Sequence, residues 1–152
     1  MIGKKIEWLS EMSAAIKGPR DEVASIKFHE LVYRAPIAEG TDVIDMLFES
    51  YLRPFEGSVM EACSTVLGAV GFSEYYDSLF KIFPELLRQD SDTAMSLLNY
   101  PGYELNGTHI RRILKKIEMK DPSGALKKDI DFQIHRWNLT NDEPWSSIYY
   151  AN

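Results

Sequence analysis

The chain has 152 residues, 17 Lys and Arg against 23 Asp and Glu, a formal net charge of −6 and a pI near 5.1. Its length fits one domain, and a hydrophobic content of 45% supports a packed core rather than disorder. Its negative charge argues against general binding to phosphate backbones, which draws on cations that release counterions.

The charge is uneven along the chain. Residues 1–105 hold 9 basic side chains against 17 acidic ones, a net of −8, whereas residues 106–136 hold 8 against 4. An acidic body of this kind suits a basic protein partner better than a nucleic acid. The one cysteine, Cys63, has no second cysteine to pair with, which fits a reducing, cytoplasmic setting. Lys4 and Lys5 imitate the start of an export signal, but Glu7 and Glu11 interrupt any apolar run. The longest apolar run, residues 66–72, falls far short of the ~20 residues of a membrane span.

Apolar residues recur at helical spacing almost throughout, which predicts an all-α fold. Ile2, Ile6, Leu9 and Ile16 mark a first helix that Gly18-Pro19 stops. A second helix spans Asp21 to Tyr33 and is expected to bury Val23, Ile26, Phe28 and Leu31, with Pro36 ending it. Thr41 reads as the N-cap of a third helix reaching Leu52, with Asp42, Asp45 and Glu49 on one polar face. After Pro54 a fourth helix covers 55–70. Ser73 caps a fifth, in which Pro84 predicts a kink or a fresh start. Asp90-Ser91-Asp92 opens a sixth, Thr108 a seventh, and residues 123–137 form the last. The tail, 138–152, carries Trp145, Ile148, Tyr149 and Tyr150 and is expected to dock on the body. Helix pairs of 41–52 with 55–70, 73–88 with 91–99, and 108–119 with 123–137 recur about every 33 residues. That spacing predicts about eight helices in antiparallel pairs, either a HEAT-like short solenoid or an irregular bundle.

Motifs for chemistry are lacking. His29, His109 and His135 have no second ligand at metal-binding spacing, and His29-Glu30 is followed by Tyr33 where a metallohydrolase motif needs histidine. Cys63 sits in an apolar helix as a small buried thiol. No catalytic residue, metal or cofactor is therefore expected. Asp90 and Asp92 read as helix-start acids rather than metal ligands. Arg111, Arg112, Lys115, Lys116 and Lys120 read as a solvated helix face, with phosphate gripping the rival reading.

The acidic residues are the stronger signal. Asp42, Asp45 and Glu49 form one stripe, Glu74 and Asp77 lie on the next pair, and Asp90 and Asp92 follow. In a stack of helix pairs these would line up as one negative surface. Tyr75 and Tyr76, set between Glu74 and Asp77, are either aromatic anchors at its centre or core residues.

In size, charge and helix rhythm the chain resembles the small, acidic, all-helical immunity proteins of bacterial toxin systems. These include contact-dependent growth inhibition and related polymorphic toxins, several with HEAT-like helix pairs. Tyr75-Tyr76 with Glu74 and Asp77 is similar in chemistry to the tyrosines and acids with which immunity proteins of nuclease colicins hold their toxins. The resemblance implies a toxin inhibitor, not an enzyme, that binds a basic nuclease one-to-one without touching nucleic acid or membrane. Its contacts would be Asp42, Asp45, Glu49, Glu74, Tyr75, Tyr76, Asp77, Asp90 and Asp92. Alternatives are a helical adaptor that binds a peptide, and an enzyme built from scattered residues such as His109 and acids of another helix.

Overall fold

The structure, a computed structural model, describes residues 2–98, 114–115, 118–119, 123–124 and 127–136. Every regular element among them is helical. The elements are α1 (Ile2–Lys17), α2 (Glu22–Tyr33), α3 (Thr41–Glu49), a 3-10 turn (Ser50–Leu52), α4 (Gly57–Leu67), α5 (Phe72–Gln89), α6 (Ser91–Leu97) and α7 (Lys127–Arg136). Leu114–Lys115 and Glu118–Met119 are helical too, within the predicted seventh helix. The rest of that helix and the aromatic tail lie outside the described residues.

Local chemistry sets the boundaries. Asp21 caps α2 by accepting the Ala24 N–H at 2.8 Å, and Asp90 caps α6 through the Thr93 N–H and hydroxyl at 3.2 and 2.7 Å. Thr41 is the first helical residue of α3 rather than its cap; Gly40 takes that place with φ of 151°. Few L side chains adopt that conformation, and a Cβ there would lie 2.6 Å from Asp42 Oδ1 and 2.8 Å from Lys5 Nζ. The α geometry of α3 ends at Glu49 and tightens into the 3-10 turn, where the Ser50 hydroxyl donates to the Leu47 carbonyl at 2.6 Å. Phe55, expected to start α4, instead precedes it in the loop and stacks on Phe28 at 4.3 Å. Pro84 neither ends nor restarts α5. The helix runs through it, without the N–H that the Phe80 carbonyl would otherwise accept.

The sequence reads as one domain; internal contacts cluster it into two compact units, Met1–Ile82 and Phe83–Asn152. In the first unit α1 packs on α2 and α3 on α4, while α1 also meets α3 and α2 meets α4. Its core includes Trp8, Met12, Phe28, Leu31, Ile44 and Phe48, each at most 3% exposed. Burying each such side chain contributes roughly 1.5–3 kcal/mol. The indole N–H of Trp8 donates to the Leu31 carbonyl at 2.7 Å, joining α1 to α2. In the second unit Leu86, Leu98, Leu114 and Ile130 are fully buried.

One expectation about this core fails. Val23 and Ile26 lie in the solvent, 78% and 57% exposed, and α2 buries Phe28, Leu31 and Val32 instead.

Candidate functional site

The polar stripe of α3 divides between two neighbouring helices. Asp42 Oδ1 lies 3.1 Å from Lys5 Nζ of α1, and Asp45 Oδ2 lies 2.8 Å from Lys81 Nζ of α5. Lys5 also donates to the Glu39 carbonyl at 3.2 Å, so the Lys5–Asp42 pair closes over Gly40 at the head of α3. Much of the charge of Asp42 is thus committed within the fold. Asp45 is less settled, because its Oδ1 is buried with no hydrogen bond among the described residues.

Around the Asp45–Lys81 contact the acids gather. Glu49 is exposed one turn beyond Asp45 on the same face of α3. Asp77 is exposed one turn before Lys81 on the same face of α5, and Glu74 is exposed a further turn back. Residues one turn apart on a helix have Cβ atoms about 5–6 Å from each other. Glu49 and Asp77 thus stand one turn from the Asp45–Lys81 pair on this rim of the first unit, with Glu74 two turns from Lys81. The Glu74 side chain folds over Gly71 at the start of α5, where a Cβ would meet its Oε1 at 3.0 Å.

The tyrosines do not belong to this surface. Tyr75 is 1% exposed and Tyr76 is fully buried, which corrects their reading as aromatic anchors. Tyr75 packs edge-on against Phe48 with ring centroids 5.0 Å apart, and against Tyr76 at 5.2 Å. The reason is periodicity. Tyr75, Tyr76, Leu79, Ile82, Phe83 and Leu86 fall at i, i+3 and i+4 offsets on one apolar arc of α5, while Glu74, Asp77 and Lys81 occupy the other. Asp90 and Asp92 are exposed, but they lie in the second unit. Asp90 is engaged as the α6 cap, and Asp92 stands in the first turn, where a negative charge complements the helix dipole.

Of the predicted basic group, the structure describes Lys115, and it is occupied. Lys115 Nζ lies 2.7 Å from Asp131 and 3.1 Å from Glu118, and Lys127 Nζ lies 2.9 Å from Asp131. Hydrogen bonds from Lys115 and then Lys127 hold the Asp131 carboxyl below its usual range. Arg111, Arg112, Lys116 and Lys120 lie outside the described residues.

Sequence reasoning missed a second cationic feature. Arg20 donates through Nη1 to the carbonyls of Ala15 and Gly18, through Nη2 to Ile16 and Arg53, and through Nε to Pro54. Its guanidinium also lies 4.0 Å from the centre of the Phe55 ring. Arg53 adds bonds to the Ile16 and Gly18 carbonyls. Two cations thus serve the carbonyl end of α1, where the dipole favours them. Burial, and then the nearby Arg53 charge, lower the pKa of Arg20 from its ordinary value.

The thiol at Cys63 is fully buried and 3.6 Å from the Ser50 hydroxyl. Burial pushes it up to about 11, and it likewise raises the Tyr51 hydroxyl. A thiol held neutral at physiological pH is a poor nucleophile. Among the described residues no group of three or more His, Cys, Asp or Glu could hold a metal ion, and no helix is long and apolar enough to cross a membrane. Comparison of the chain with family models, curated proteins and solved structures returns no match.

Proposed function

We propose that this chain is a cytoplasmic immunity protein that neutralises a cationic toxin, a nuclease domain by preference, by binding it one-to-one and transforming nothing. The observation that carries the reading is the α3–α5 rim, where Glu49 and Asp77 stand exposed one turn from the Asp45–Lys81 pair and Glu74 is exposed a further turn along α5. A nuclease needs cationic groups to seize its substrate, and a carboxylate-rich surface competes for those groups. Steering by such a surface raises association toward ~10⁸ M⁻¹s⁻¹ at low salt. The contacts of α1 with α3 and of α2 with α4, beside those within each pair, support a HEAT-like stack of helix pairs as the scaffold.

The contact set narrows to Asp45, Glu49, Glu74 and Asp77 in the first unit. Asp42 acts mainly through Lys5, and Asp90 and Asp92 would form a separate contact. The test is co-purification with the product of the neighbouring gene, comparing the natural chain with the Glu49→Lys/Asp77→Lys variant. An affinity loss of at least about tenfold, steepest at low salt, is expected. Unchanged affinity removes the rim from the proposal, and turnover of any substrate by the purified chain overturns it.

A further inference from the structure

Helix α2 has a second apolar face. On one side Phe28, Leu31 and Val32 are fully buried; on the other, Val23 is 78%, Ile26 57% and Tyr33 53% exposed. These three fall at i, i+3 and i+10, which aligns them in one stripe. Scattered exposed apolar residues are ordinary, but a stripe along a single helix is the pattern of a helix that packs on something. At Val23 the stripe runs into a groove of about 430 Å³ between α1 and α2, walled by Ala14, Ala15 and Ala24 with Glu11, Asp21 and Lys27 among them. Tyr33, at the other end, is held edge-on to His29 with ring centroids 4.9 Å apart.

The charges beside the stripe say what would cover it. In order along α2, caps included, they are Asp21, Glu22, Lys27, Glu30 and Arg34: three acids and two bases. With a net of only −1 and the acids gathered toward its start, this pattern is mixed rather than of one sign. Laid antiparallel on itself it becomes complementary, whereas a parallel arrangement sets like against like. Lys27 and Glu30 form no ion pair among the described residues, and Arg34 reaches only Glu11, at 3.9 Å.

We infer that this face is the interface of a two-fold homodimer in which α2 packs antiparallel on the same helix of a second copy. With the axis near position 28, Val23 meets Tyr33 of the partner subunit, and Glu22 meets Arg34 of the partner subunit. Lys27 then lies beside Glu30 of the partner subunit. The groove next to Val23 is large enough to receive the ring of the partner's Tyr33. Such a contact is isologous: each residue pairing occurs twice, and the assembly closes at two copies. The inference is independent of the acidic rim, which lies on α3 and α5.

Sedimentation equilibrium of the full chain tests it. A reversible dimer is expected, abolished by Ile26→Glu with helical content unchanged, because Ile26 is more than half exposed and lies outside the buried core. Lys27→Glu and Glu30→Lys should each weaken the dimer by about tenfold, and the double exchange should restore it to within about threefold of the natural chain. A chain that stays monomeric up to about 0.5 mM overturns the inference. So does a dimer indifferent to Ile26→Glu, or a double exchange no tighter than the single ones.

Discussion

Lys81 Nζ sits 2.8 Å from Asp45 Oδ2, and the other oxygen of that carboxylate is buried with no hydrogen bond among the described residues. The lysine is more than half exposed and the aspartate a quarter exposed, so solvent screens the pair and its own strength is at most about 1 kcal/mol. Removing one partner costs more than the pair contributes, because Asp45 would be left with a charge about three-quarters buried. Lys81→Met should destabilise the first unit by roughly 1–2 kcal/mol, and adding Asp45→Leu should recover most of the loss. Urea denaturation of both variants decides it; equal losses would mean that the carboxylate is already well solvated.

Gly40 combines a positive φ with a site where the Lys5–Asp42 pair occupies the space of a Cβ. Gly40→Ala should therefore cost roughly 1–3 kcal/mol. Part of that cost should vanish in a Lys5→Ala background, where one obstructing group is gone. The urea midpoints of the two pairs of proteins measure this directly.

Arg20 offers a fork of planar donors to carbonyls of two chain segments, and lysine cannot reproduce that geometry. Arg20→Lys is expected to lose at least about 2 kcal/mol despite keeping the charge. Thermal unfolding at 0.1 and 1 M salt separates the two contributions. A loss that persists at high salt marks lost hydrogen bonds rather than lost Coulomb attraction.

Cys63 should resist an aromatic disulfide reagent at pH 8 in the folded chain and react at once in denaturant. The sign of the pH effect follows from the raised pKa. Unfolded thiols ionise near about 8.5, and the folded one near about 11. Between those values the native state binds more protons, so stability falls as pH rises. Cys63→Ser should flatten that part of a stability–pH curve; an unchanged slope would assign it to other groups, the Tyr51 hydroxyl first.

Much of the fold is legible in the sequence because helix punctuation is local. Gly18-Pro19, Asp21 and Asp90 act within a few residues of themselves, and each behaves as its chemistry requires. The errors arise where a helix has more apolar surface than one face can hide. Tyr75 and Tyr76 look like neighbours of acids, yet adjacency along a helix is not adjacency in space, and the arc they share with Leu79 and Phe83 is the buried one. Val23 and Ile26 fit a helical period as well as Phe28 and Leu31 do, and composition alone does not choose between the two sides. Asp42 and Asp45 are correctly placed on one stripe, but Lys5 and Lys81 stand more than thirty positions away in sequence, beyond any local rule.

A helix greasy on both flanks has two ways to lie down. Rolled by half a turn, α2 could offer Val23, Ile26 and Tyr33 to the interior and turn Phe28 and Val32 outward. The Phe28 ring, stacked on Phe55 at 4.3 Å, fits one roll angle and not its opposite. In the roll the fold adopts, the Val23 and Ile26 flank is the one left facing the solvent.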